Sequence, residues 1–202
     1  MRDATNLHLR PARLGDAKNL AKLIDIAGEG IPSWLWSQSV AVGQSPLDVG
    51  IERARRQSGG FSYRNAILAE AFDQVAGMVL TYPIEIMPQE SPDDLPDPIA
   101  PFVELEKQSV GSWFVNALAV FPEFRGLGIG TALMEEVEHA AHRRGYDRLS
   151  IQVYEQNVGA VRLYEHLGYI AISQARVRCH PCQPYYSGDV VLLEKQVGQT
   201  VF

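Results

Sequence analysis

The stretch Phe124-Arg125-Gly126-Leu127-Gly128-Ile129-Gly130-Thr131 sets three glycines at alternate positions directly after an arginine. Upstream, GSWFVNALAV reads as a buried strand that delivers the chain to Val120. Downstream, IGTALMEEVEHAAHRR reads as a helix beginning near Gly128 to Thr131. Leu133, Val137 and Ala140 or Ala141 share one of its faces, and Glu135, Glu136 and Glu138 turn mostly away. The first amides of a helix lack partners within the helix, and its dipole attracts anions to that end. Glycine removes the Cβ atoms that would hold a phosphate off those amides, and Arg125 adds a permanent charge with a donor fork. Strand, glycine turn and helix together make a pyrophosphate-binding device. The competing reading is a tight strand-to-helix turn with no ligand.

Three motifs compete for this stretch. A phosphate loop of the Walker type needs Lys and Ser or Thr after its last glycine, and no Lys follows Gly130. The dinucleotide fingerprint G-x-G-x-x-G finds Thr131 where its third glycine belongs, and the helix lies deep in the chain. The pattern R/Q-x-x-G-x-G/A matches Arg125 to Gly130 without a gap. With LAVFPEFRGLGIGTALMEEVEHAAHRRG the chain resembles the GNAT superfamily of acyl-CoA-dependent N-acetyltransferases. A second block, IQVYEQNVGAVRLYEHLGYI, is similar to that family's N-x-x-A-x-x-L-Y-x-x-x-G-F/Y segment. Asn157, Ala160, Leu163, Tyr164, Gly168 and Tyr169 all fall in place. The two blocks cover about the C-terminal half of the core.

The resemblance implies an α/β (α+β) fold in one domain over residues 1–202. Its central sheet would be mixed, mostly antiparallel and twisted, with about six to seven strands flanked by helices. The order of elements agrees. NLHLRPAR reads as a strand and LGDAKNLAKLIDIAGEG as a helix with Leu20, Leu23, Ile24 and Ala27 on one face, Asp16 in its first turn and Gly28 and Gly30 at its end. IPSWLWSQSV and SPLDVGIERARRQ are further helical turns. NAILAEAF and VAGMVLTYPIEI, joined at Asp73-Gln74, read as a hairpin. RLSIQVY is a strand, NVGAVRLYEHLG a helix with Asn157 as N-cap, and YIAISQARVR and DVVLLEKQV two final strands. The Pro- and Asp-rich segment 88–101 reads as a mobile acidic loop.

The reaction implied is attack of a primary amine, on a small molecule or peptide, on the thioester of acetyl-CoA within a ternary complex. By resemblance, acetyl-CoA is a co-substrate and no metal is needed. Arg125, Gly126, Leu127, Gly128, Ile129, Gly130 and Thr131 would take the pyrophosphate. Leu118, Ala119 and Val120 would run beside the pantetheine arm and offer a backbone N–H to the acetyl oxygen. Asn157 would bond the cofactor arm, and the Tyr164 hydroxyl would protonate the leaving sulfur. A phenol, with an ordinary pKa of about 10, suits that task. The alternative is that Tyr164 is a core aromatic, flanked at helical spacing by Leu163 and Leu167. Some relatives carry a Glu on the strand before the glycine turn, but WFVNALAV has no carboxylate. Asn116 can orient a water but cannot be a base, so Glu29, Glu104, Glu106 and a water route stay open. A non-catalytic acyl-CoA-binding or regulatory domain of the same fold is the alternative.

The acceptor side is less legible. GEGIPSWLW brings Glu29, Trp34 and Trp36 together, a set that suits a cationic amine or simply anchors a loop. From Glu85 through Glu106 there are seven acidic residues and no basic one, a run that steers cations or is merely solvated. The net charge of −6 and scattered basic pairs argue against nucleic acid. The apolar content of 46% is ordinary, and no stretch suits a signal peptide or a membrane span, so a cytoplasmic protein is the expectation. Relatives in the family often pair through late strands, so a homodimer is a further expectation. Cys179 and Cys182 flank His180 but fall short of a four-ligand zinc site and read as free thiols.

Overall fold

The computed structural model describes residues 7–86 and 95–198. Seven strands and six α-helices are defined among them. In chain order they are β1 (His8–Pro11), α1 (Ala17–Ala27), α2 (Ile31–Ser37), α3 (Pro46–Ala54), β2 (Ala66–Ala71), β3 (Gln74–Pro83), α4 (Ala100–Glu106), β4 (Trp113–Val120), α5 (Ile129–Arg143), β5 (Arg148–Tyr154), α6 (Val158–His166), β6 (Ile170–Arg176) and β7 (Asp189–Gln196). The strands form one open, mostly antiparallel sheet in the order β1-β2-β3-β4-β5-β7-β6. β4 and β5 are the parallel neighbours, with Trp113 opposite Leu149 and Val115 opposite Ile151. This is the mixed α/β class expected from the sequence.

Two compact units divide the chain, Met1–Thr81 with Ala117–Glu136 and Tyr82–Asn116 with Val137–Phe202. In the first, Leu20, Leu23 and Ile24 of α1 are buried as their spacing requires, and Ala27 packs at the margin. Leu68 of β2, Met78 and Leu80 of β3, and Ala117 and Ala119 of β4 share that core. Each fully buried Leu of this kind contributes roughly 1.5–3 kcal/mol. Asp16 precedes α1 as its N-cap position, but its carboxylate is turned to other partners. It accepts from the Arg13 N–H at 2.7 Å and from the Arg10 guanidinium at 2.8 and 3.0 Å. Arg10 in turn donates to Glu70 at 2.8 Å, which ties β1 to β2 and to the start of α1.

In the second unit Leu149, Ile151 and Val153 of β5, and Val190, Leu192 and Leu193 of β7, are buried. Val137, Ala140 and Ala141 of α5 are buried as well, while Glu138 turns to an ion pair with Lys195 at 2.6 Å.

Two local expectations change. The β2–β3 turn is Phe72-Asp73, both in the left-handed region at φ 52° and 60°, so the hairpin closes one residue earlier than Asp73-Gln74. Two successive positive φ values match the right-handed twist of a two-residue hairpin. The segment 88–101 is also not loop throughout. Residues 88–94 lie outside the described residues, and Ala100 and Pro101 already form the first turn of α4, where proline's fixed φ suits a helix start.

Candidate active site

The first unit holds the glycine turn. Along β4 the core takes Ala117 and Ala119, which leaves Leu118 and Val120 half-buried on the opposite face. The Phe121 N–H donates to the Ala76 carbonyl at 2.9 Å and fixes the strand's exit on β3. A short turn, Pro122–Phe124, follows. It buries Phe124, whose ring stacks on Phe72 at 6.4 Å. Arg125 is extended, and its Nε donates back to the Val120 carbonyl at 3.2 Å. Gly126 and Gly128 then adopt φ of 77° and 76°, and a Cβ placed on either would meet nothing within 4 Å. Both are glycines because of backbone conformation, and the space over them is open. The Ala132 N–H donates to the Gly128 carbonyl at 3.0 Å, so α5 starts there. Buried Ile129 pins the helix start, while residues 125–128 are exposed.

This arrangement fits a pyrophosphate. The early helix amides lack intrahelical partners, the left-handed glycines bare the backbone beside them, and one guanidinium stands at the entrance. Gly130 and Thr131 lie in the first turn of α5, where both are half-buried.

The second unit holds the other predicted residues. The Asn157 side chain accepts from the Ala160 N–H at 3.2 Å, the N-cap bond expected of it. Tyr164 on α6 is 5% exposed, and its ring meets Tyr169 at 6.0 Å. Burial pushes its phenol well above the ordinary range. A phenol so placed stays protonated at neutral pH and is a proton donor, not a base. The Tyr169 phenol is raised by burial and then by the charge of Glu138, and its hydroxyl has no hydrogen-bond partner among the described residues.

The acceptor set separates. Glu29 is half-buried in a left-handed turn at φ 52°, and Trp34 is half-buried on α2. Trp36 belongs to the core. It is 3% exposed, and a Cβ on Gly50 of α3 would come within 2.6 Å of its ring. Its indole glues α2 to α3 and is not available to an amine, which corrects the expectation for that residue. Among the carboxylates left open as bases, Glu104 is exposed and Glu106 is half-buried.

Sequence reasoning missed Tyr82. Its ring meets Phe114 edge-on at 6.0 Å, and its hydroxyl is hydrogen-bonded to the Asn116 side chain. Burial, and next the charge of Glu106, push its phenol up. Nothing local marks it, because TYPIEI reads only as the tail of a strand. Cys179 and Cys182 are free thiols, and the His180 Nδ1 accepts from the Cys182 N–H at 3.2 Å.

Comparison with known proteins follows the same lines. The model of the family described as "Acetyltransferase (GNAT) family" matches residues 30–169. A curated relative from Methanocaldococcus jannaschii, described as an uncharacterized N-acetyltransferase, is 37% identical over 65 residues. That alignment covers 32% of this chain and spans 28% of the relative's length. Among solved structures, an N-acetyltransferase from Staphylococcus aureus Mu50 superposes with a TM-score of 0.67 at 20% identity, over 93% of this chain and 100% of that one. A polyamine N-acetyltransferase from Drosophila melanogaster, which catalyses the formation of N-acetylagmatine, gives 0.65 at 17% identity over 95% and 100%. A Salmonella typhimurium protein solved with its cofactor acetyl-CoA gives 0.61 at 15% identity over 98% and 97%. At such identities the superpositions speak for the fold.

Proposed function

The chain belongs to the acetyltransferase (GNAT) family, and on that premise we propose that it transfers the acetyl group of acetyl-CoA to a primary amine by direct attack on the thioester. The observation that carries this reading is the glycine turn, with Gly126 and Gly128 left-handed beneath open space and Arg125 beside them. Residues 125–131 take the pyrophosphate. Leu118 to Val120 supply a strand edge for the pantetheine arm, with one N–H polarising the acetyl carbonyl. Asn157 bonds the arm, and Tyr164 gives its proton to the departing sulfur. A phenol is protonated across the neutral range whether or not burial raises it, so the donor is loaded, and it is the position of Tyr164 on α6 after the Asn157 cap that supports that last role. The Drosophila neighbour's chemistry makes agmatine and polyamines the first acceptors to test, with peptide amines next.

The absence of a carboxylate from β4 favours a second reading, a domain that binds acyl-CoA without consuming it. Two measurements separate them. A thermal-shift titration with acetyl-CoA, free CoA and NADH should show a rise specific to the CoA compounds, because a ligand of the folded state stabilises it by mass action. No rise at millimolar acetyl-CoA overturns the cofactor assignment. Tyr164→Phe should then keep that shift and lose on the order of 100-fold in CoA-thiol release with the acceptor found. A wild-type chain that binds acetyl-CoA yet releases no thiol with any amine belongs to the second reading.

A further inference from the structure

Tyr164 stands in the last turn of α6, a helix of only nine residues that ends at His166. Helices this short are marginal by themselves, and their last four carbonyls lack intrahelical partners. A phenol in such a turn keeps its aim only if the turn is held. The residues just past the helix do the holding. Gly168 is left-handed at φ 86°, and its N–H donates to the Glu165 carbonyl at 3.0 Å. The Tyr169 N–H donates to the carbonyl of Tyr164, also at 3.0 Å. These are the two bonds of a Schellman cap, and the longer-range one falls on Tyr164 itself.

The side chains repeat the link. The Tyr169 ring lies 6.0 Å from that of Tyr164 at an interplanar angle of 58°, the apolar contact that accompanies such a cap. Both residues are buried. The next residue, Ile170, opens β6 and pairs with Glu194 of β7, so the cap is anchored on the sheet. Tyr164 is thus gripped through its backbone and through its ring by one residue, all within one compact unit. The Tyr169 hydroxyl takes no part, since it has no hydrogen-bond partner among the described residues.

We infer that Tyr169 is a positioning residue for Tyr164: through its N–H and its ring, and not its hydroxyl, it holds the phenol in the orientation that delivers a proton to the leaving sulfur. The inference rests on the proton-donor reading of Tyr164 above. In that step the C–N bond forms as the C–S bond breaks, and sulfur keeps the electron pair. The Tyr164 O–H proton moves to sulfur and gives free CoA thiol. The new amide nitrogen sheds its surplus proton to water, and water returns one to the phenolate. The sum is an amide and a thiol. Such a transfer depends steeply on placement, and a donor displaced by about 1 Å can lose about 100-fold in rate.

A double-mutant cycle tests this, with agmatine, spermidine and an alanine-headed peptide as the amines. With the best of them Tyr169→Leu should lower kcat about tenfold or more. Its acetyl-CoA affinity, read by calorimetric titration, should stay within about twofold of wild type. In a Tyr164→Phe background the same change should cost nothing further, because the group it positions is gone. Tyr169→Phe keeps the ring and the N–H, and should bring kcat back to within about twofold of wild type. Gly168→Ala carries the test if Tyr169→Leu does not fold. Its added Cβ meets only the Lys195 Cε at 3.9 Å, so it strains the cap and leaves both rings in place. It should lower kcat in the same Tyr164-dependent way. Equal losses in both backgrounds, an unchanged kcat, or a loss in Tyr169→Phe as large as in Tyr169→Leu overturns the inference. A Tyr164→Phe chain with full turnover, or a wild-type chain that acetylates none of these amines, instead sinks the reading beneath it.

Discussion

Gly128 shows how much one residue can be asked to do. Its φ of 76° disfavours any side chain, and a Cβ there would meet no neighbour within 4 Å. Gly128→Ala therefore costs backbone strain alone in the free protein, about 1–2 kcal/mol, or a few degrees in Tm for a chain of this size. In the acetyl-CoA complex the added methyl stands where the proposed pyrophosphate approaches, so affinity should drop at least about tenfold beyond any change in stability. Calorimetric titration of the variant with acetyl-CoA checks this. Lost Tm with unchanged affinity would mean that the glycine serves the turn and not the ligand. Arg125 differs in kind, since its Nε already bonds the Val120 carbonyl at 3.2 Å and its place on the turn is held without a ligand.

Elements differ in how far their own residues announce them. The helices α1 and α5 bury a face spaced at helical intervals, and the Asn157 cap of α6 needs only a side chain three residues from its partner N–H. Such local chemistry is legible in the sequence. The short helix α4 is not, because it buries only Ala100, Pro101 and Leu105 and follows a Pro- and Asp-rich segment that reads as loop. Its orientation depends on Gln152 and Tyr154, far along the chain. Trp36 failed for the same reason. Beside Trp34 and Glu29 it looks like part of an amine box, and only Gly50 of α3 shows that its ring is a wedge between two helices. Trp36→Ala should accordingly destabilise the protein by about 3–5 kcal/mol through the cavity it leaves. Urea unfolding reads that loss. A stable Trp36→Ala protein with a raised KM for its amine would restore the residue to the acceptor site.

At the scale of the whole molecule, the fold class and the glycine turn were readable because they rest on repeating pattern and backbone chemistry. The hydrogen bond between Tyr82 and Asn116 was not, since it joins β3 to β4 and exists only when those elements meet. The buried phenols extend this dependence to global stability. Tyr164 and Tyr169 are 5% and 3% exposed, and burial raises both above the unfolded value of about 10. Below pH 10 both states keep these protons, and the phenols impose no pH dependence. Above it the unfolded chain releases protons that the folded chain retains, so the folded state binds more of them and its stability falls as pH rises. Each phenol contributes a slope of up to about 1.4 kcal/mol per pH unit, or about 3 kcal/mol for the pair. The Tyr169 hydroxyl, buried without a partner, supplies the control. Tyr169→Phe removes an unsatisfied polar group, so at pH 7 it should be neutral or slightly stabilising. Between pH 10 and about 11.5 its urea-unfolding free energy should decline more gently than that of the wild-type chain by close to one proton's worth. Parallel declines in the two proteins would show that the folded state does not hold the Tyr169 proton, and the dry surroundings inferred for this pair of rings would have to be given up.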